Sequence, residues 1–548
     1  MEARHTARKL VVFCGEPAPP STVEAVEAVA EAYPHWRILV VQGNRRRVGT
    51  WAYLKGKVRR LLRQPVSYPL ELACQLGVKL RPRARRRLGG QVRLPALDET
   101  VQDNVRFLSA ECIHDQEVVE KVREFAPWLG LSLGAPILEP ALFEIPDFGT
   151  INVHKSFLPN YRGMPPGFWE LYDRAEQTGV SIHWVSESLD AGDIVEQRAI
   201  PISPYAAPGS LGPLLDGAAT ELLLAVLKRL DAGERPRTPQ GRPETPTRSR
   251  PAWLVARMLR RRLVRSRLDR IGVFALLRGA AKAVVLWLYV YLWSTLRNLT
   301  YRLTGRAHTT VLLYHRVSDD LLDSITVGVE QFVRHLRLLK RSYDIVDLQE
   351  FLDTRSKPRG RPAVVLTFDD GYQNNHLAAT LMRREGIPAT FFLSTGIVGS
   401  DRAFPHDAEK LGRCVPALSW QQVRQMSQWG FRFGIHTAGH VNVGRVPFDQ
   451  AEAEVRTAMV DLRAQLGPAA SDRWFAYPRG KQSDITGQVR ERLADWGVEC
   501  CLSAYGGTNR TKFDLLDVRR QGVDCRFGLL ALRAAVEGWR VRSQSDGR

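Results

Sequence analysis

Two groups of polar residues sit at the ends of apolar runs, and both could act on an acyl or amide carbonyl. INVH, residues 151–154, places Asn152 and His154 two apart on an extended segment, so both side chains point the same way. An amide there can hold a developing oxyanion, and an imidazole can move a proton. The later stretch SIHWVSESLDAGDIV contains His183, Asp190 and Asp193, with Asp190 in a turn ahead of Ala-Gly. Asn152, His154 and Asp190 form a coherent set in which the carboxylate orients the imidazole or passes protons through water. That is acyl-transfer chemistry without an evident nucleophile, because no GxSxG frames a serine. No GxGxxG or P-loop pattern follows an early strand, so dinucleotide and ATP use are unsupported.

The second group begins with TFDDG, which puts Asp369 and Asp370 at the end of the apolar run AVVLTF. HTAGH follows another apolar run and sets His436 and His440 four apart, a spacing that puts both rings on one face of a helical turn. One carboxylate and two imidazoles suit a divalent metal, with zinc the natural fit, and leave positions open for a water and a carbonyl oxygen. Such a metal acidifies the water and polarises the carbonyl, and the spare carboxylate can take the water's proton. His315, in LLYHRV, follows the domain's first strand and could point into the same mouth.

These residues need parallel strands to carry them. KLVVFCG, an alanine-rich helical stretch and RILVVQG read as strand, helix, strand, which predicts an α/β domain with a parallel sheet. The alternation continues to about residue 205, and TELLLAVLKRLDAG closes it with a helix ending on glycine. Residues 234–251, rich in Pro, Arg and Thr, read as a linker. From residue 309 onward strands and helices repeat often enough to suggest an α/β barrel or a distorted version of one. The expected layout is therefore 1–233, a connecting region 234–308, and 309–548.

A length of 548 residues supports two large domains. The seven cysteines are scattered without CxxC spacing, as expected in a reducing compartment, and no signal peptide is evident at the start. The formal charge of +20 is concentrated in two places. One is a cluster from Arg45 to Arg63. The other is residues 251–310, with twelve Lys or Arg against one acid, Asp269. Such patches attract polyanions or anionic lipid, but the absence of zinc-finger spacing or a recognition-helix module argues against nucleic acid. Within 274–294 the uninterrupted apolar run is short for a span, and it is rich in Trp and Tyr with basic flanks. An interfacial helix is the leading expectation; a helix packed on a domain and a true span stay open.

With TFDDG, HTAGH and FAYPRG in view, residues from about 309 to 525 resemble the polysaccharide deacetylases of the NodB-homology type. The resemblance implies that Asp369 is the base and that Asp370, His436 and His440 hold the metal. It also implies a groove shaped by FAYPRG, with the Tyr477 backbone N–H facing the oxyanion. The family's arginine is missing at the position of Ala476, so Arg519 or Arg520 is expected to hold Asp369 instead. The family's late histidine is missing too, which leaves His315 as the candidate general acid.

Residues 151–195, with INVHKSFLPNYRG, TGVSIHWV and LDAGDIV, resemble the core of the 10-formyltetrahydrofolate-dependent formyltransferases. The resemblance covers residues 1–205 less specifically and fits 40–90 poorly. It implies a Rossmann-like fold, 10-formyltetrahydrofolate as donor, Asn152, His154 and Asp190 as catalytic residues, and Ser156, Tyr161, Arg162 and Gly163 as the neighbouring loop. Transfer RNA formyltransferases carry a further C-terminal domain, whereas here a linker and a deacetylase-like domain follow. The expected acceptor is therefore an amino sugar, carried on a nucleotide or a lipid, and the expected second activity is hydrolysis of an acetyl or formyl amide on a sugar. The alternatives are that one domain is a silent scaffold or carbohydrate-binding module, or that the acceptor is transfer RNA. A cytoplasmic location, peripheral on the inner face of a bacterial membrane, accompanies this reading.

Overall fold

The computed structural model describes residues 8–44, 104–203, 206–251, 255–259, 261–262, 284–304, 307–320, 323, 325–354, 362–404, 406–407, 414–510 and 513–539. The basic cluster from Arg45 to Arg63 lies outside these residues. The chain divides into two compact units, the first ending at Arg270 and the second beginning, apart from a short earlier segment, at Ile271.

The first unit is built on a seven-stranded sheet. Its strands are β1 (Lys9–Cys14), β2 (Arg37–Asn44), β3 (Val105–Cys112), β4 (Leu129–Ser132), β5 (Thr150–His154), β6 (Gln177–Trp184) and β7 (Ile194–Pro201), in the order β3-β2-β1-β4-β5-β6-β7. The first five run parallel, and β6 and β7 are antiparallel to their neighbours. β1 is buried along almost its whole length, which is why it reads as a continuous apolar run rather than an alternating one. From β1 the chain builds outward to β3, then returns to the other side of β1 to lay down β4. That reversal opens a crevice beyond the carboxyl ends of β1 and β4, where open α/β sheets bind ligands.

Among the described residues one helix, Pro208–Asp231, is long and apolar enough to cross a membrane. Its Leu211, Leu215, Leu222, Leu223, Val226, Leu227 and Leu230 are buried in the first unit, as in a core helix.

Residues 234–251, whose composition predicts a linker, instead run along the first unit. The Ile194 and Thr238 backbones exchange hydrogen bonds of 2.8 and 2.9 Å, and Arg248 does the same with Arg162 and Met164 at 2.8 and 3.1 Å. The Trp184 indole donates to the Pro236 carbonyl. Prolines cannot donate, but the carbonyls between them can still accept, so such a segment can pair at a sheet edge or loop.

The second unit holds eight parallel strands: β8 (Thr309–Tyr314), β11 (Asp344–Ile345), β12 (Ala363–Phe368), β13 (Thr390–Leu393), β14 (Arg432–Ile435), β15 (Ala470–Ala476), β16 (Cys500–Leu502) and β17 (Arg520–Gly522). Two short strands, β9 (Arg316–Val317) and β10 (Thr326–Val327), pair separately. The main path runs β16-β15-β14-β13-β12-β8-β17, with β11 beside the start of β12. A bridge between Leu502 of β16 and Val518, just ahead of β17, brings the two ends together and nearly closes the sheet.

Tyr314, Phe368, Phe391 and Phe433 lie in register on four neighbouring strands, with successive ring centroids 4.9–5.7 Å apart. This ladder fixes the level at which the following residues, His315 and Asp369, leave the sheet.

Two buried histidines away from these strand ends share one bonding pattern. His335 bonds the Phe527 carbonyl through Nε2 at 2.7 Å, and its Nδ1 faces the Tyr314 hydroxyl at 3.2 Å. His308 does the same with the Val536 carbonyl at 2.9 Å and the Tyr301 hydroxyl at 3.2 Å. Each neutral ring is satisfied at both nitrogens, and burial pushes both down to about 4. The unfolded value lies near 6.5, so as pH falls from there toward 4 the unfolded chain binds protons that the folded chain does not. The second unit should therefore lose stability as pH falls through this window, by up to about 1.4 kcal/mol per pH unit for each ring. Denaturant unfolding at pH 7 and pH 5.5 checks this, and His335→Gln should flatten the slope; a slope unchanged by the substitution would refute the assignment.

Candidate active sites

In the first unit, the crevice beyond β1 and β4 is a cavity of about 530 Å³ lined by Asn152, His154, His183, Asp190, Lys155 and the loop 132–138. Asn152 and His154 leave β5 on the same side, as their spacing requires. The antiparallel register of β5 and β6 sets His183 opposite Asn152. His183 Nδ1 lies 2.9 Å from the Trp184 carbonyl, so it carries the hydrogen. Nε2 is then an acceptor, and the Asn152 amide donates to it at 3.1 Å. The second amide hydrogen of Asn152 remains for a ligand.

His154 Nε2 donates to the Tyr161 carbonyl at 3.2 Å, which leaves Nδ1 as the basic nitrogen, 3.6 Å from Asp190 Oδ2. Asp190 Oδ1 lies 3.7 Å from His183 Nε2, and the Gly163 N–H donates to Oδ2 at 3.1 Å. Burial lowers the proton affinity of His154, opposed by Asp190 and the Tyr161 carbonyl. Burial pushes the Asp190 carboxyl up, but His183, His154 and the Gly163 N–H outweigh it and hold the group below its ordinary value. A neutral imidazole beside an ionised carboxylate is poised to accept a proton. Asp190 and Tyr161 both adopt positive φ, 51° and 56°, a conformation held by the surrounding bonds.

In the second unit, Asp369 and Asp370 follow β12, and His436 and His440 follow β14. Asp370 Oδ1 lies 3.3 Å from His436 Nε2 and 3.2 Å from His440 Nε2. Neither approach is aligned as a hydrogen bond, and both buried Asp370 oxygens are left without a partner. His436 Nδ1 donates to the Ala476 carbonyl at 2.7 Å, which turns Nε2 inward as a lone pair. Three donor atoms within 4.8 Å of one another and an orphaned buried carboxylate fit a divalent cation, and the N₂O donor set suits zinc.

Burial would raise the Asp370 carboxyl, yet the positive charge of the imidazoles around it, when they are protonated, holds it well below the ordinary range. Burial lowers His436, but the Asp369 and Asp370 carboxylates raise it overall. The HTAGH segment is not helical. Thr437 and His440 adopt φ of 60° and 59°, and the loop closes through the Val441 N–H to Thr437 Oγ1. The two rings therefore meet across a left-handed loop rather than along one face of a helical turn.

The polysaccharide deacetylase family matches residues 356–500, and the formyl transferase family matches residues 90–227. The chain is a formyltransferase domain fused to a polysaccharide deacetylase domain. A methionyl-tRNA formyltransferase of Halalkalibacterium halodurans is 37% identical over 147 residues, 27% of this chain and 46% of that protein. One from Enterococcus faecalis is 35% identical over 147 residues, 27% of this chain and 47% of that protein. The chain thus spans about half the length of the curated relatives it matches. The solved Streptococcus pyogenes deacetylase PplD, in complex with acetate, superimposes with a TM-score of 0.35 at 19% identity, over 42% of this chain and 99% of that one.

In the deacetylase domain the sequence left Arg519 and Arg520 as alternatives for holding Asp369. Arg520 is fully buried and bidentate, with Nη1 and Nη2 each 2.7 Å from one Asp369 oxygen. Arg519 lies instead with its guanidinium over the Tyr505 ring. Arg519 comes just before β17 and Arg520 opens it; adjacent residues of an extended segment face opposite ways, so only one of the two can reach. The expectation for Tyr477 is corrected: its N–H donates to the Leu502 carbonyl in the ladder between β15 and β16 and is not free for an oxyanion. His315 is half-buried, its Nδ1 has no partner among the described residues, and desolvation lowers its proton affinity against the pull of Asp370 and Asp369.

In the formyltransferase domain Ser156 is corrected as well. Its hydroxyl donates to the buried Glu170 at 2.7 Å, beneath the site. Arg162 donates to Gln240 at 2.7 Å, and Gln240 in turn donates to the Asp190 and Gly192 carbonyls. Of this loop, Gly163 lines the cavity and Ser156, Tyr161 and Arg162 do not. Gly163 has φ 96°, and a Cβ there would stand 2.0 Å from the Arg248 carbonyl oxygen.

Two site residues had no assigned role from sequence. His183 is visible in GVSIHW, but its pairing needs the strand register. His406 lies beside His440, the rings tilted by 46° with centroids 4.9 Å apart, and bonds Tyr372 at 2.7 Å; its only signal was a lone histidine in AFPHD. Replacing Arg520 by Ala should destabilise the second unit by about 3–5 kcal/mol, because it strands the Asp369 carboxylate in the interior. Arg519→Ala should cost about 0.5 kcal/mol or less. Denaturation midpoints of the two variants test the assignment, and equal losses would contradict it.

Proposed function

We propose that this chain remodels the amide on an amino sugar: the deacetylase domain hydrolyses an N-acyl group, and the formyltransferase domain places a formyl group from 10-formyltetrahydrofolate on a sugar amine. The observation that carries this reading is the contrast between two aspartates, Asp190 hydrogen-bonded among proton-handling groups and the buried Asp370 orphaned among metal-ligating ones. A sugar-amide hydrolase joined to an amine formylase favours a carbohydrate acceptor, on a nucleotide or lipid carrier, over transfer RNA. Acetyl is the favoured leaving acyl group, because hydrolysing the formyl group just installed would only discharge the donor to water. Removing acetyl exposes the amine that the other domain needs. A cytoplasmic setting accompanies the reading, since the resembled formyltransferases draw their donor there.

In the formyltransferase domain, the free amide hydrogen of Asn152 would hold the carbonyl oxygen as it becomes an oxyanion. His154 Nδ1 would take the proton of the attacking amine, and Asp190 would steady the charged ring. In the deacetylase domain, Asp370, His436 and His440 would hold a divalent cation, which supplies an acidified water and a polarised carbonyl. Asp369, fixed by Arg520, would take the water's proton. His315 would return a proton to the leaving amine; its low affinity in the resting site makes it a strong donor once protonated.

Tetrahydrofolate release from the full chain, given 10-formyltetrahydrofolate and a panel of amino sugars free or carried on nucleotide or lipid, tests the transfer. Asn152→Ala should lower kcat about 10²–10³-fold and His154→Ala about 10²–10⁴-fold, with little change in folate affinity. No release by the intact chain with any acceptor would sink the first half. For the second half, His315→Asn should keep the metal and lose about 10²-fold or more in deacetylation. Full activity in that variant would remove His315 from the mechanism.

A further inference from the structure

The helix over residues 284–304 has two faces of different character. On one, Leu286 and Val290 are buried against Ala534 in the second unit. Tyr289, Arg297 and Asn298 converge on Glu537, itself buried: the Tyr289 hydroxyl bonds its backbone carbonyl at 2.8 Å, Arg297 Nη2 its carboxylate at 2.6 Å, and Asn298 the same oxygen at 3.0 Å. On the other face Val285, Leu288, Leu292, Leu296, Leu299 and Leu303 follow one another at spacings of three or four residues, each 47–81% exposed. Trp287, Tyr291 and Trp293 are exposed beside them. Single exposed leucines need no explanation; a row of one valine and five leucines beside three aromatic rings does.

We infer that this face docks the second unit on an anionic lipid surface. Residues 284–304 contain no Asp or Glu, and residues 271–310, all in the second unit, carry five Lys or Arg and no acid. An anionic bilayer satisfies both features, drawing the basic stretch to its headgroups and burying the leucines below them, with Trp and Tyr at the boundary. A second copy of the chain would set two strongly basic stretches against each other. A nucleic acid would neutralise the charge and leave the leucine row without a partner. A full span is excluded for this helix, because its other face holds the Arg297–Glu537 pair and is fixed to the second unit. The inference concerns attachment alone, so its failure would leave the reading of the two catalytic sites standing.

The test is co-sedimentation of the full chain with vesicles of mixed phosphatidylglycerol and phosphatidylcholine, and with phosphatidylcholine alone. The chain should bind the anionic vesicles more tightly, and Leu292→Glu with Leu296→Glu should weaken that binding by about 100-fold. Both side chains are exposed, so circular dichroism and metal content should match the parent. Val460→Glu, exposed on the helix Phe448–Leu466, should bind like the parent. No binding of the parent to anionic vesicles, or undiminished binding by the double variant, overturns the inference. So does a double variant that loses self-association in sedimentation equilibrium while its lipid binding is unchanged, which would assign the face to a second copy.

Discussion

A carboxylate taken out of water stays ionised only where other groups replace the water, and both sites are organised around one such group. Asp190 lies between His154 and His183, and Asp370 between His436 and His440. Both backbones are forced to positive φ, 51° and 75°, so that the carboxylate turns back over the strand ends. The replacements differ. Asp190 receives a backbone N–H, and each imidazole near it already bonds a backbone carbonyl or an amide. The Asp370 carboxylate receives no hydrogen bond among the described residues, while the tautomer of His436 is set so that its lone pair faces inward. The same set, one aspartate between two histidines, would on the proposed reading serve as a proton relay in one unit and as a cation site in the other.

The surrounding folds serve these two carboxylates. In the first unit the return of the chain from β3 to β4 opens the crevice, and the register of β5 with β6 delivers His183 to Asn152. The segment 234–251 then holds the turn in place through Gln240, which ties Arg162 to the Asp190 and Gly192 carbonyls. In the second unit the ladder Tyr314–Phe368–Phe391–Phe433 levels the strand ends. Asp369 sits one residue beyond it and would be an unpaired interior charge without Arg520, which arrives from β17, on the far side of β8 from β12.

What was legible in the sequence was what short spacing encodes. Asn152 with His154, Asp369 with Asp370, and His436 with His440 each sit within a few residues at the end of an apolar run, and strand geometry does the rest. What was not legible depends on register or on distant segments. Arg519 and Arg520 are equivalent in sequence, and only the facing of β17 separates them. The Tyr477 N–H was spent in a ladder that sequence does not show. His406 reaches the metal-ligand cluster from a loop between β13 and β14. The stretch 234–251 reads as a linker because it lacks apolar residues, yet its attachment is made by backbone carbonyls and polar side chains, to which composition is blind. The aromatic segment near residue 290 left three placements open, and the structure combines two features of them: a helix packed on the second unit by one face and bare on the other.

The most direct test of this account is the metal content of the purified full chain and of two matched variants, Asp190→Asn and Asp370→Asn, measured by elemental analysis after exposure to zinc and removal of the excess. The parent and Asp190→Asn should each retain one divalent cation per chain, and Asp370→Asn should retain none. Retention by Asp370→Asn, or loss in Asp190→Asn, would contradict the division of the two carboxylates into a cation site and a proton relay.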